Sequence, residues 1–332
     1  MAGVVLVTGV SRDVAARCAR ALSTTHEVVG VDVTAPRRDL GRGTFIRADL
    51  RSPALADTVR KLKPSAVVHH ASTAGPDVAA HRPAGAKEQA VMGTLNLISA
   101  TEQLDIEQFV LLSSVSVYAA SASQVTYLDE SVPMDSRPTA GARRDLLEVE
   151  TAVAGLARRH PEIAVGVLRM GALMGSGVDT VWSRFLSQPA VMSVVGFDAR
   201  VQFLHPADAV AAVEAVVSAR RGGVFNVAAP DVLPLSLVLR LVGRPPLPVP
   251  RALVPVAART LKQPLPGRDL EELAYGRVVD SSRLTEATGW VARTSSRRAI
   301  EEFAAFVRPG LWSADRLDGV LAGLAKFTGE DR

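Results

Sequence analysis

The fold of this 332-residue chain turns on Val4-Val5-Leu6-Val7-Thr8-Gly9-Val10-Ser11-Arg12-Asp13-Val14-Ala15. Val4 to Val7 is a short, continuous apolar run, which reads as a strand buried on both faces. Val14, Cys18, Ala21 and Leu22 then recur at helical spacing. A glycine-bearing turn between a buried strand and a helix is a phosphate site, because N–H groups at a helix N-terminus attract anions and glycine lets the backbone come close. Only Gly9 of a three-glycine pattern is present, with Arg12 and Ala15 at the other two places. The motif alone is weak, and its context gives it weight. Asp32 ends the next strand, Glu27 to Val31, and lies 23 positions beyond Gly9. That is near the roughly 20 expected of the acid that binds the adenine ribose. A carboxylate there repels a 2′-phosphate and predicts NAD over NADP. Arg12, Arg37 and Arg38 pull the other way, but Asp32 would touch the ribose directly. The alternative is a solvated acid closing a strand.

Working outward, further strands are predicted at Thr44–Ala48, Ala66–His69, Phe109–Leu112 and Ala164–Leu168. Helices are predicted at Leu55–Leu62, Ala86–Leu104 and Asp145–His160. Strands and helices alternating through short links imply right-handed crossovers and a parallel sheet covered on both faces. The fold class expected is therefore α/β, a doubly wound Rossmann sheet. After about residue 170 the rhythm loosens and prolines gather at Pro245, Pro246, Pro248 and Pro250. We expect a dinucleotide-binding domain over 1–170. A smaller, mostly helical substrate lobe should follow over 171–310, with Val224–Val227 returning to the sheet. In a C-terminal tail over 311–332, Leu317, Val320, Leu321 and Leu324 mark a docking helix.

Bulk properties bound the function. The apolar fraction is 48% and the charged fraction 22%, ordinary for a globular protein. The net charge of +4 comes without a basic run interleaved with aromatics, so a nucleic-acid partner has no support. Cys18 is the single cysteine, which rules out an internal disulfide and a cysteine zinc cluster, and no metal is expected. No leader pattern follows Met1, and no run of about 20 uncharged apolar residues occurs, so the cytoplasm is the expected compartment.

An ordered set of segments resembles the extended short-chain dehydrogenase/reductases, specifically the NAD-dependent epimerase/dehydratase family, with actinobacterial UDP-glucose 4-epimerase-like members the nearest in look. Thr8 to Ala15 resembles the family's TGxxGxxG loop with two glycines lost. Asp49-Leu50 looks like its acid–apolar pair beside the adenine. Val67-Val68-His69-His70-Ala71-Ser72 is similar to the fourth-strand segment passing the cofactor. Gly93-Thr94-Leu95-Asn96-Leu97 matches "GTxNL", and Ser113-Ser114-Val115-Ser116-Val117-Tyr118 matches "SSxxVY". Leu168-Arg169 with Gly175, Phe203 to Asp208, and Asp280 to Arg283 with Gly289-Trp290 continue the series to about residue 306. The resemblance implies a cofactor site of Thr8, Gly9, Ser11, Arg12, Asp13, Asp32, Asp49, Leu50, His70, Ala71 and Ser72, with NAD as cofactor. It also implies a nucleotide-sugar substrate, with Arg200 or Arg277 facing its pyrophosphate or standing in solvent. It implies a homodimer through the helices at Ala86–Leu104 and Asp145–His160, whose Val91, Leu95, Leu97 and Ile98, and Leu146, Leu147, Val149 and Val153, exceed what one sheet face needs.

The family oxidises a sugar hydroxyl, and the proton needs an acceptor within hydrogen-bond reach. The resemblance assigns this to a Tyr assisted by a Lys four residues later and by a Ser or Thr. Ser114 stands at the assisting place and is the catalytic candidate. The pair should fall 24–28 residues on, yet Pro138 to Asp145 contains neither. The tyrosines are Tyr118, Tyr127 and Tyr275, and no Lys lies between Lys87 and Lys262. Arg143 and Arg144 stay protonated and are poor bases. Tyr118, Tyr127 and His70 are the possible substitutes. Three functions follow: an epimerase or dehydratase with altered acid–base groups, a catalytically silent NAD(P)-binding sensor or scaffold, and a reductase of a hydrophobic alcohol. The missing pair points to the second, and the apolar Pro-rich stretch at 245–257 is the hint for the third.

Overall fold

The computed structural model describes residues 3–71, 88–135, 142–266 and 270–307. The first part of the chain runs β1 (Val4–Thr8), α1 (Asp13–Leu22), β2 (Glu27–Asp32), β3 (Thr44–Arg47), α2 (Ala54–Leu62), β4 (Ala66–His70), α3 (Gly93–Thr101), β5 (Gln108–Ser114), α4 (Ala142–Arg159) and β6 (Ala164–Met170). It continues through β7 (Ala172–Leu173), α5 (Val181–Leu186), β8 (Val191–Val194), β9 (Arg200–Val201), β10 (Phe203–Leu204), α6 (Pro206–Ser218), β11 (Gly223–Val227), β12 (Leu233–Pro234), α7 (Leu235–Val242) and β13 (Pro246–Val249). Helices α8 (Val254–Thr260), α9 (Leu270–Tyr275), α10 (Ser282–Thr288) and α11 (Ser296–Phe306) follow.

The strands β11-β6-β5-β4-β1-β2-β3 form one seven-stranded sheet. Every pairing in it is parallel. Helices α1 and α6 cover one face, sharing a core with Val5, Val7, Val68, Val110 and Phe225. Helices α2, α3 and α4 cover the other, around Leu6, Val67, Phe109, Leu111 and Val165. Two-sided burial is why these strands read as unbroken apolar runs rather than alternating ones. The fifth strand runs on to Ser114, beyond the expected Leu112, because Ser113 and Ser114 still pair with Arg169 and Met170 of β6. The predicted return of Val224–Val227 is β11, seated beside β6.

A second core holds Met174, Trp182, Phe185, Met192, Phe203 and Phe303, and belongs to elements after residue 170. Its strands come in three pairs: β7 with β10, β8 with β13, and β9 with β12. The Pro-rich stretch therefore has a structural use, since Pro246 to Val249 pairs with Val191 to Val194. The predicted tail helix lies outside the described residues. No helix among the described residues is long and apolar enough to cross a membrane.

Candidate dinucleotide cleft and reaction site

The sheet order sends the chain one way from β1 and the other way from β4, so their carboxyl ends open a crevice. Thr8 and His69 are paired there. Gly9 follows with φ +77°, and a Cβ on it would lie 2.5 Å from the carbonyl oxygen of His70. Glycine is therefore required at this position on both grounds. Arg12 has φ −89° and ψ 141°, open to any L-residue. Ala15 is wholly buried in α1, where a small side chain suffices. Only the first glycine of the pattern is sterically obligatory in this loop, which accounts for the survival of Gly9 alone.

Asp32 is buried at the end of β2. Its Oδ2 accepts the Ser11 N–H at 3.0 Å, and its Oδ1 receives only a long contact, 3.4 Å, from Thr34 N–H. One carboxylate oxygen thus keeps acceptor capacity. Asp32, Gly9, Val31, Leu50, His70 and Ala71 line one cavity. Leu50 is held by Asn96, whose Nδ2 donates to the Leu50 carbonyl at 3.0 Å. Asp49 turns aside to pair with Arg51 at 2.6 Å, which keeps its carboxyl below the usual carboxylate range. The Thr8 hydroxyl, wholly buried, is committed to His69 Nδ1 at 2.6 Å. Thr94 gives its own hydroxyl proton to the Ala90 carbonyl, so His69 Nε2 must be the donor to Thr94 Oγ1 at 2.8 Å. The "GTxNL" helix therefore clamps β4 and the loop after β3 through Thr94 and Asn96. Ser72 lies outside the described residues.

A wider cleft, about 580 Å³, adjoins the loop and is lined by Ser11, Arg12, Asp13, Arg37, Arg38, Asp179 and Arg184. Asp13 pairs with Arg17 at 2.7 Å and also with Arg38. Asp179 pairs with Arg184 at 2.6 Å. Arg12 Nε is buried with no hydrogen-bond partner among the described residues.

Ser114 ends β5 and lines a third cavity, about 40 Å³, with His70, Ala71, Leu146 and Met170. Its Oγ accepts the Ser116 N–H at 3.2 Å, leaving the hydroxyl proton available to a ligand. The residue that α4 presents to this cavity is Leu146, which is buried and apolar. Sequence reading missed it, and a leucine at helical spacing carries no signal to distinguish a cavity wall from core. Ser113, next door, also lines the cavity but donates its hydroxyl to Glu150.

None of the substitute bases is well equipped. Tyr118 is fully buried, donates to Asn226 Oδ1 at 2.9 Å and accepts from Arg169 Nη1 at 2.9 Å. Burial pushes its phenol pKa up. Tyr127 lines a separate cavity of about 370 Å³ with Gln202, Asp280 and Trp290. His70 is the one candidate beside Ser114, and burial, then the Arg12 charge, holds its pKa down to about 4. Its Nδ1 has no partner among the described residues. Arg143 is spent on Asp135 and the Tyr118 carbonyl, and Arg144 on Glu148 at 3.0 Å. Arg277 donates to the Tyr118 carbonyl at 2.9 Å, and Arg200 to the Thr126 carbonyl at 2.9 Å. His205 caps α6 and Asp208 takes the N–H groups of Arg293 and Thr294, both structural tasks.

A parallel sheet in this order, with an acid at the end of β2 and a crevice between β1 and β4, defines a dinucleotide-binding α/β protein. The sequence model of the NAD dependent epimerase/dehydratase family matches residues 5–228, and the chain belongs to that family. A Mycobacterium tuberculosis relative, uncharacterized protein Rv0501, is 33% identical over 317 residues, 90% of this chain and 83% of the relative. Among solved structures, MoeE5 in complex with UDP-glucuronic acid and NAD superposes with a TM-score of 0.72 at 23% identity, covering 92% of this chain and 98% of that one. The UDP-glucose 4-epimerase of Bifidobacterium longum, in complex with NAD+ and UDP, gives 0.70 at 16%, covering 91% and 97%. The Thermotoga maritima UDP-glucose 4-epimerase with UDP-glucose gives 0.70 at 15%, covering 91% and 98%. At these identities the likeness is one of fold.

Proposed function

We propose that this chain binds NAD across the ends of β1, β2 and β4 and holds a nucleotide sugar against it, with residues 1–170 as the cofactor domain and 171–310 as the substrate lobe. The observation that carries the cofactor is Asp32, fixed by the Ser11 N–H and left with an open acceptor oxygen over the cavity of Gly9, Leu50 and Ala71. Gly9 lines the same cavity, and its lack of a Cβ lets the loop lie against the His70 backbone. Arg12 Nε and His70 Nδ1 are buried donors or acceptors that a ligand would satisfy. When bound, NAD accepts a hydride from a carbinol carbon. The residues then have separate tasks: Asp32 orients the adenine ribose, and Ser114 holds the substrate oxygen through its free hydroxyl proton.

Proton removal is the weak step. In our reading the Tyr–Lys pair is lost, and Leu146 stands on the helix face that meets Ser114. Conventional 4-epimerase turnover should therefore be slow. That same observation favours a second reading, a dinucleotide-binding sensor or scaffold on an epimerase fold. Calorimetric titration with NAD tests what the two share: a dissociation constant in the micromolar range supports both, and no binding removes both. The activity assay set out in the Discussion separates them.

A further inference from the structure

Two buried polar atoms in the cleft have no partner among the described residues: Arg12 Nε and His70 Nδ1. They belong to different elements, the N-cap of α1 and the end of β4. Gly9 nonetheless links their backbones, and the Arg12 charge acts on the His70 ring. Gly9 sits against the His70 backbone, and Arg12 N–H donates to the Gly9 carbonyl at 3.0 Å. His70 is 8% exposed and lines both the Asp32 cavity and the Ser114 cavity, so it marks the point where the two meet. Arg12 lines the adjoining cleft.

Burying a guanidinium nitrogen without an acceptor is costly, and native structures seldom leave one so. The carboxylates nearby do not supply it. Asp13 is taken by Arg17 and Arg38 and Asp179 by Arg184, while Asp32 keeps an acceptor oxygen but lines the neighbouring cavity and makes no hydrogen bond to Arg12 Nε. The cleft holds four arginines, Arg12, Arg37, Arg38 and Arg184, against the two carboxylates Asp13 and Asp179. Arg12 also caps α1 without a side-chain hydrogen bond, leaving the first-turn N–H groups and the positive end of a ten-residue helix facing the same space. Each feature calls for an anion.

We propose that Arg12 and His70 form a side-chain anchor for the diphosphate of a dinucleotide, doing with a guanidinium and an imidazole what a glycine-rich loop does with backbone alone. The inference rests on the cofactor reading above and adds to it the group that holds the diphosphate. The anchor suits the geometry: the diphosphate joins an adenosine half over Asp32 to a nicotinamide half over Ser114, and His70 stands between them. His70 donates to a phosphate oxygen from Nδ1–H, in the neutral Nδ1–H tautomer or as the imidazolium. An arriving anion offsets the Arg12 charge that, with burial, disfavours the imidazolium. Asp32 is the other charged group acting on the ring, and His69 beside it is committed to Thr8 and Thr94.

The test is calorimetry with ADP-ribose, which has the diphosphate, and ligand-observed NMR with adenosine, which does not. Arg12→Gly, Arg12→Gln and His70→Leu are compared with the wild-type chain after thermal melts show each is folded. Loss of a charge-assisted hydrogen bond should weaken ADP-ribose roughly ten- to a hundredfold in either Arg12 variant and leave adenosine within about twofold. The dependence of ADP-ribose affinity on salt should also flatten in the Arg12 variants, an effect a purely structural residue would not produce. If Arg12→Gly and Arg12→Gln bind ADP-ribose as well as wild type or better, Arg12 crowds the site and the anchor is wrong, while the cofactor reading stands. If the wild-type chain binds neither NAD nor ADP-ribose, both fall.

Discussion

The carboxylate of Asp32 accepts the backbone N–H of Ser11 at 3.0 Å, tying the end of the second strand to the loop after the first. One contact thus fixes the loop and leaves a carboxylate over the cavity that we propose takes the adenine ribose. A 2′-phosphate there would meet that charge, so NAD should bind at least roughly tenfold more tightly than NADP. Asp32→Ala should narrow the ratio by improving NADP. Calorimetry with both cofactors checks this, and a wild-type preference for NADP would show that Arg37 and Arg38 outweigh Asp32.

Interconversion of UDP-glucose and UDP-galactose by the purified protein with added NAD should be slow, below about 1 s⁻¹, because positioned acid–base catalysis is worth roughly 10²–10⁴-fold. Ser114→Ala should reduce whatever activity exists. The double variant Ala142→Tyr with Leu146→Lys rebuilds the Tyr–Lys spacing on α4 and should raise turnover by at least about tenfold. Wild-type turnover at or above that 1 s⁻¹ level would reveal a working base, with His70→Ala the first variant to make.

Arg169 and Glu150 form a buried ion pair at 2.7 Å, and Glu150 also accepts from Ser113 while Arg169 donates to Tyr118. Removing one partner leaves an uncompensated buried charge. Arg169→Leu or Glu150→Leu should each cost about 3–5 kcal/mol in a urea melt. The double variant should lose much less than the two single losses added together. Full additivity would mean the pair is not coupled.

Burial holds His69 to about 3 and His70 to about 4, against an ordinary value of 6.5. Both stay neutral when folded, and unfolding lets them take protons below about pH 6.5. Their contribution to stability is therefore whole above that pH and is lost progressively as pH falls toward 4 and then 3. The melting temperature should drop between about pH 7 and pH 5, and His70→Leu should lessen the slope. Histidine 15N shifts at neutral pH should show His69 as the Nε2–H tautomer.

Helices α3 and α4 bury Leu97, Ile98, Leu146, Val149 and Val153 in the core rather than on an outer face. Met92 and Leu95, at 49% and 42% exposure, remain outside near α3. A homodimer through this surface predicts a light-scattering mass of twice 35.1 kDa at micromolar concentration. Met92→Glu with Leu95→Glu should return it to a single chain, and a wild-type mass of one chain refutes the interface.

Much of this protein was determined by sequence alone. Continuous apolar runs alternating with 3.6-period segments specify a parallel sheet covered on both faces. Gly9 and Asp32 were legible for the same reason: each is fixed by local backbone geometry and by its distance along a βαβ unit. Helix ends were less so, since the long helix expected from Ala86 to Leu104 is described from Glu88, opens with a π-helical turn to Met92, is α-helical from Gly93 and stops at Thr101. What only the tertiary structure decided is which side chains meet. Tyr118 reads as one of three candidate substitute bases, yet Asn226, 108 positions away, and Arg169 consume its hydroxyl. Arg277 and Arg200 read alike as pyrophosphate ligands or surface charges, but Arg277 is buried against Glu272 and the Tyr118 carbonyl, whereas Arg200 donates to the Thr126 carbonyl. Leu146 reads as a surplus apolar residue of a dimer helix, and becomes a wall of the Ser114 cavity. Periodicity reports which face of an element is buried, because burial is an average over many residues. The partner of a single polar group depends on the meeting of distant segments, and no local pattern encodes it.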